Sequence, residues 1–93
     1  MHILVVEDSR TLRETLHDGL AKMGYGVDAV GDGAVGLEYA KSKEYDVIVL
    51  DLMLPRLDGI EVCKRLRNEA RKSTPVLMLT ARDTLDEKLT GLS

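Results

Sequence analysis

Three carboxylates and one hydroxyl stand directly behind apolar runs in this chain. Glu7 and Asp8 follow Ile3 to Val6, Asp51 follows Val47 to Leu50, and Thr80, with Ala81 behind it, follows Pro75 to Leu79. A carboxylate delivered by an apolar run needs a partner, because burying it alone is costly. If these runs are neighbouring strands, Glu7, Asp8, Asp51 and Thr80 converge on one small cleft. Carboxylates that close repel one another, so either some stay protonated or a cation neutralises them. Oxygen donors without His or Cys point to Mg²⁺ rather than Zn²⁺, since Mg²⁺ takes octahedral oxygen ligands, keeps several waters and commonly shares its sites with phosphate oxygens. His2 and His17 sit away from the cluster and read as incidental.

Each position also has a plainer reading. Asp8 or Ser9, behind a strand and ahead of a helix, is of the type that caps a helix N-terminus. Thr80 alone would be a strand-end hydroxyl. Asp51 could be a loop acid beyond a buried strand, but the next helix starts only near Gly59, too far for it to cap. Asp58 and Gly59 read as a turn and a helix cap. Pro55 fixes the backbone of the loop that follows Asp51.

The elements that must hold these residues are legible in the pattern of apolar runs. The runs ILVV, YGVDAV, VIVL and PVLML start at positions 3, 25, 47 and 75. The first, third and fourth are unbroken, as strands covered on both faces of a parallel sheet must be. The second carries Asp28, which suits an edge strand. Between them, Leu12, Leu16, Leu20 and Met23 form one helical stripe, Ala34, Leu37 and Ala40 a weaker second, and Ile60, Cys63 and Leu66 a third. Leu85, Leu89 and Leu92 begin a fourth, with Thr84 and Glu87 spaced as a capping box. Gly24 closes the first helix, and Gly33 and Gly59 mark the turns into the second and third. This alternation implies right-handed βαβ crossovers and an open α/β sheet with helices on both faces. A strand as apolar as PVLML makes a poor bare edge, so a fragment, or a partner that completes the sheet, is expected.

Composition narrows the classes. The 93 residues, 44% apolar and 31% charged, fit one globular domain over residues 1–93 with an aliphatic core, since only three Tyr supply aromatic bulk. The net charge of −3, without a basic run interleaved with aromatics, argues against nucleic-acid binding by this chain. The cluster Lys64, Arg65, Arg67, Arg71 and Lys72 reads as a solvated helix face. Cys63 is alone, which excludes an internal disulfide and suits a reducing compartment, where it would be a small core residue. No apolar run is long enough to span a membrane. The cytoplasm is the expected location.

Taken together, VVED at 5–8, VLDLMLPRLDG at 49–59 and LMLTAR at 77–82 resemble the receiver domain of two-component response regulators. The wording DLMLP is similar to that of the OmpR/PhoB-type transcription regulators. The resemblance runs from Met1 to Ser93 and implies a CheY-like, flavodoxin-like fold. It implies that Asp51 is the phosphoacceptor, taking a phosphoryl group from a phosphohistidine on a sensor histidine kinase. Asp8 would ligate Mg²⁺ directly and Glu7 mainly through water, and Met53 would offer its backbone carbonyl. Thr80 would hydrogen-bond the phosphoryl group, and the backbone at Ala81 would shift with it. A C-terminal DNA-binding output domain would be the controlled partner. Family members continue into a fifth strand with a Lys that pairs with the phosphoryl group, then an aromatic switch residue and a fifth helix. Lys88 does not match that Lys on spacing, so the resemblance implies a domain without its catalytic Lys, last strand and last helix.

Two other readings compete. The chain could be an inert module whose exposed PVLML edge drives homo-oligomerisation or strand exchange. A phosphatase with two Asp separated by one residue fits poorly, because Met53 stands in the second place. On the leading reading the chain is no turnover enzyme and only phosphorylates itself from a donor.

Overall fold

The computed structural model describes residues 1–52 and 54–79. The elements run β1 (His2–Val6), α1 (Arg10–Lys22), β2 (Gly26–Val30), α2 (Gly33–Ser42), β3 (Val47–Asp51), α3 (Gly59–Asn68) and β4 (Val76–Leu79). All strand pairs are parallel, and the sheet order is β2-β1-β3-β4. The three runs that carry the acids and Thr80 are therefore neighbours, and the run with Asp28 is the edge strand.

Alternation within each strand divides the core in two. Leu4, Val6, Ile48 and Leu50 pack with Leu37 and Ala40 of α2 and Val62 and Leu66 of α3. Ile3, Val5 and Val49 point the other way and meet Leu16 and Leu20 of α1. The chain steps from β1 out to β2 and then back past β1 to β3. Right-handed crossovers accordingly place α1 and α2 on opposite faces. The expectation of an open parallel sheet with helices on both faces holds.

Capping fixes where the helices begin. Ser9 caps α1 by accepting from the Leu12 N–H, Asp32 caps α2 through Val35, and Asp58 caps α3 through Glu61. Gly24 follows α1 at φ 95, a left-handed value open to glycine at little steric cost.

Two helical stripes differ from expectation. In α1 no residue is fully buried: Leu16 and Leu20 are half-buried, while Leu12 is exposed and Met23, at the C-cap, is 67% exposed. The helix ends at that cap, so the Met23 side chain leaves the stripe. In α3 the residues facing the core are Val62 and Leu66, four apart. Ile60 and the half-buried Cys63 lie on the flank instead, lining an open groove of about 290 Å³ with Lys64, Arg67, Asn68 and Met78. Cys63 is thus a groove residue rather than a core residue. Of the basic cluster, Lys64, Arg65, Arg67 and Arg71 are exposed as expected, whereas Lys72 is half-buried and donates from Nζ to the Lys43 carbonyl at 2.9 Å and to Glu44 Oε1 at 3.1 Å. The stripe Leu85, Leu89 and Leu92, its Thr84 and Glu87 cap, and Lys88 lie outside the described residues.

Candidate acidic site at the switch point

The strand order reverses at β1, with β2 on one side of it and β3 on the other. Such a reversal opens a crevice beyond the carboxyl ends of the strands. Glu7 and Asp8 leave β1 at this point, and Asp51 is the last residue of β3. A ligand atom from each of Glu7, Asp8 and Asp51 lies within 4.8 Å of the other two. Asp51 is held at its place by the ladder: it is in register with Leu79, and the Leu52 N–H donates to the Leu79 carbonyl at 3.1 Å.

The three acids differ in environment. Glu7 is 3% exposed and Asp51 8%, whereas Asp8 is exposed. Burial pushes the Glu7 carboxyl up to about 7, and the hydrogen bonds it shares with Asp8 and Asp51, with the Asp51 charge, push the same way. The Ser9 N–H, donating to Glu7 Oε2 at 2.7 Å, opposes the shift. Ser9, not Asp8, caps α1, so the Asp8 carboxylate is left for the cluster. Three oxygen donors, two of them buried, fit a hard divalent cation, which would offset the cost of holding the Glu7 charge in this buried, acidic place.

Two features were not foreseen. Arg13, one turn into α1, donates from Nη1 to the Glu7 carbonyl at 2.9 Å and the Asp8 carbonyl at 3.3 Å. It steadies the backbone that presents both acids. Nothing in its spacing distinguishes it from an ordinary surface arginine, because its role depends on the reach of the side chain. Gly59 comes so close to the Asp51 carbonyl that a Cβ would collide with it, and its N–H donates to the Leu52 carbonyl at 3.0 Å. The start of α3 thus packs directly under Asp51. Met53, Thr80 and Ala81 lie outside the described residues. His2 and His17 are remote from the cluster: His2 faces Asp28 at 3.7 Å and His17 faces Asp18 at 3.1 Å.

The family model for the response regulator receiver domain matches residues 3–93. The chain belongs to the response regulator receiver domain family. Among curated relatives of this receiver domain, the response regulator MprA of Mycobacterium avium is 47% identical over 92 residues, covering 99% of this chain and 40% of that protein. The transcriptional regulatory protein QseB of Haemophilus influenzae is 48% identical, with 99% and 41% covered. The chain therefore spans about two fifths of the length of these relatives. Among solved structures, the Francisella response regulator 1452 receiver domain has a TM-score of 0.83 at 34% identity, covering 98% of this chain and 74% of that one. The receiver domain of the sensor histidine kinase PA1611 from Pseudomonas aeruginosa, solved with magnesium in its active-site cleft, has a TM-score of 0.80 at 31% identity, covering 94% and 72%.

Proposed function

We propose that this receiver domain accepts a phosphoryl group on Asp51 from the phosphohistidine of a sensor kinase, with Glu7 and Asp8 holding Mg²⁺. The carrying observation is the convergence of Asp51, buried at the end of β3, with two acids from the end of β1. In the transfer, an Asp51 carboxylate oxygen forms the bond to phosphorus. The phosphorus–nitrogen bond to the donor imidazole breaks, and its electron pair leaves with the nitrogen. The product is an acyl phosphate on Asp51. Such transfers depend chiefly on alignment and on neutralising charge at the equatorial oxygens. Bound Mg²⁺ would supply that neutralisation. The chain's own residues do the aligning: the ladder fixes Asp51, Ser9 holds Glu7, and Arg13 holds the backbone of Glu7 and Asp8.

The finer assignments belong to the same proposal. Met53 would offer a carbonyl to the metal, and Thr80 and Ala81 would respond to the phosphoryl group. The added charge, close to two units, is a local electrostatic switch. The proposal extends to control of a DNA-binding output domain in the cytoplasm; what supports the first part is that the relative QseB is a transcriptional regulatory protein. Incubation with Mg²⁺ and a small acyl phosphate should add one phosphoryl mass, and Asp51→Asn should abolish it. A folded, Mg²⁺-binding sample with no mass gain would count against the assignment.

Self-association is a second reading with its own observation. β4 is an edge of the described sheet, and Leu77 on it is 57% exposed. It is compatible with the first, because the β4 edge lies apart from Glu7 and Asp8 on the far side of β3.

A further inference from the structure

We propose that the first turn of α2 acts as a clamp on the connection that follows Asp51, with Gly33 as the positioning residue and the left-handed backbone at position 56 as the turn that it holds. The inference rests on Asp51 being the phosphoacceptor. The connection contains a strained turn: the Leu57 N–H donates back to the Pro55 carbonyl at 2.7 Å, across Arg56 at φ 67. A three-residue turn with a positive central φ is the rare, strained form, and a non-glycine residue holds it only where its surroundings over-determine it.

Those surroundings come from α2. The Gly33 N–H, a helix-start donor with no partner inside its own helix, donates to the same Pro55 carbonyl at 3.3 Å. Asp32 divides its carboxylate between two tasks. Oδ1 accepts from the Val35 N–H at 2.8 Å and caps the helix, while Oδ2 lies 3.9 Å from Arg56 Nε.

Gly33 is buried, and a Cβ on it would run into the Leu57 carbonyl; its three nearest would-be neighbours all belong to Leu57. Three residues on, the equivalent neighbours of Gly36 all belong to the Val6 side chain, nearest at 2.8 Å. Gly36 therefore serves the core, and Gly33 serves the connection. At its other end the connection is tethered by the Gly59 N–H on the Leu52 carbonyl. Leu52 is thus held by α3 and the turn at residues 55–57 by α2, so that the clamp holds the connection after Asp51 at two described points.

The test uses the full protein with three readouts: backbone amide shifts of Asp51 and Leu52, Mg²⁺ affinity, and the rate of phosphorylation by a small acyl phosphate. Gly33→Ala should move the amides and lower affinity and rate by about tenfold or more, the scale expected for sub-ångström to ångström misplacement. Gly36→Ala should lower the thermal midpoint and leave all three readouts near wild type. Arg56→Gly relieves the left-handed strain and should keep wild-type behaviour, while Arg56→Val, which resists positive φ, should behave like Gly33→Ala. Both Arg56 variants remove the Asp32 pair, and the side chain is 72% exposed, so packing does not separate them. If Gly33→Ala does not fold, the Arg56 pair decides alone. A folded Gly33→Ala with wild-type readouts, or identical Arg56→Gly and Arg56→Val, overturns the clamp. Failure of Asp51 as acceptor is distinguishable, since wild type would then gain no phosphoryl group while the amide shifts still report the clamp.

Discussion

Glu7 and Asp51 are both buried at the cleft, and burial together with its two acidic neighbours raises the Glu7 carboxyl. The Glu7 pKa is raised in the fold, from 4.5 to about 7. Its contribution to stability is therefore complete below pH 4.5 and is lost as pH rises through about 7. On the proposed function Mg²⁺ would displace the Glu7 proton, so Mg²⁺ affinity should rise with pH across this window and level off above it. Calorimetric titrations at pH 6 and pH 8 check this, and Glu7→Gln should flatten the difference. Saturating Mg²⁺ at about a hundred times its dissociation constant should stabilise the fold by about 2.7 kcal/mol, measured as a shift in the unfolding midpoint. Asp8→Asn should remove most of that shift.

At the scale of the elements, the opposite end of the sheet has its own charged cluster. The Tyr45 hydroxyl donates to Asp28 Oδ2 at 2.6 Å, tying the residue ahead of β3 to the edge strand β2. Lys43 approaches the same oxygen at 3.4 Å and His2 at 3.7 Å. The Tyr45 bond, with Lys43 and His2 adding to it, holds the Asp28 carboxyl below its usual value of 3.8 against the opposing effect of burial. Burial and the Asp28 bond push the Tyr45 phenol up. Because the Asp28 pKa is depressed, its stabilisation is present above pH 3.8 and lost as pH falls through the lower folded value. Tyr45→Phe should destabilise by about 1 kcal/mol at neutral pH and move acid unfolding to higher pH, read by circular dichroism. On α3, Leu66 is 1% exposed and packs against the sheet, so Leu66→Ala should cost about 2–5 kcal/mol in denaturant melts.

At the scale of the whole molecule, the described residues cover the two sheet faces unequally: ten buried residues cluster on the face with α2 and α3, helix residues included, and three on the face with α1. Leu77 lies on β4, an edge of the described sheet, outside both clusters. An exposed apolar edge strand is a template for pairing with another chain. If it drives self-association, sedimentation should show mass rising with concentration, and Leu77→Glu should suppress that rise while Mg²⁺ binding persists. A concentration-independent monomer would set the second reading aside.

The alternation of strands and helices, the placing of the acids behind their strands and the caps at Asp58 and Gly24 were legible because they depend on local periodicity and on turn chemistry, whereas the strand order was only a condition of the sequence reading. Asp51 was legible for the same reason: an apolar run long enough for one strand ends on it. What the sequence left open was decided by packing between elements. Ser9 and Asp8 are equivalent as caps until the helix sets its first turn, and Ile60 and Val62 are equivalent as apolar residues until α3 is rotated against α2. Gly33 acquires its role only through contact with Leu57 far along the chain, and Arg13 through the reach of its side chain back to the Glu7 and Asp8 carbonyls. Linear pattern determined which acids stand behind their strands; only the tertiary structure decided that Glu7, Asp8 and Asp51 converge and which backbone holds them there, because that depends on distances between segments no periodicity encodes.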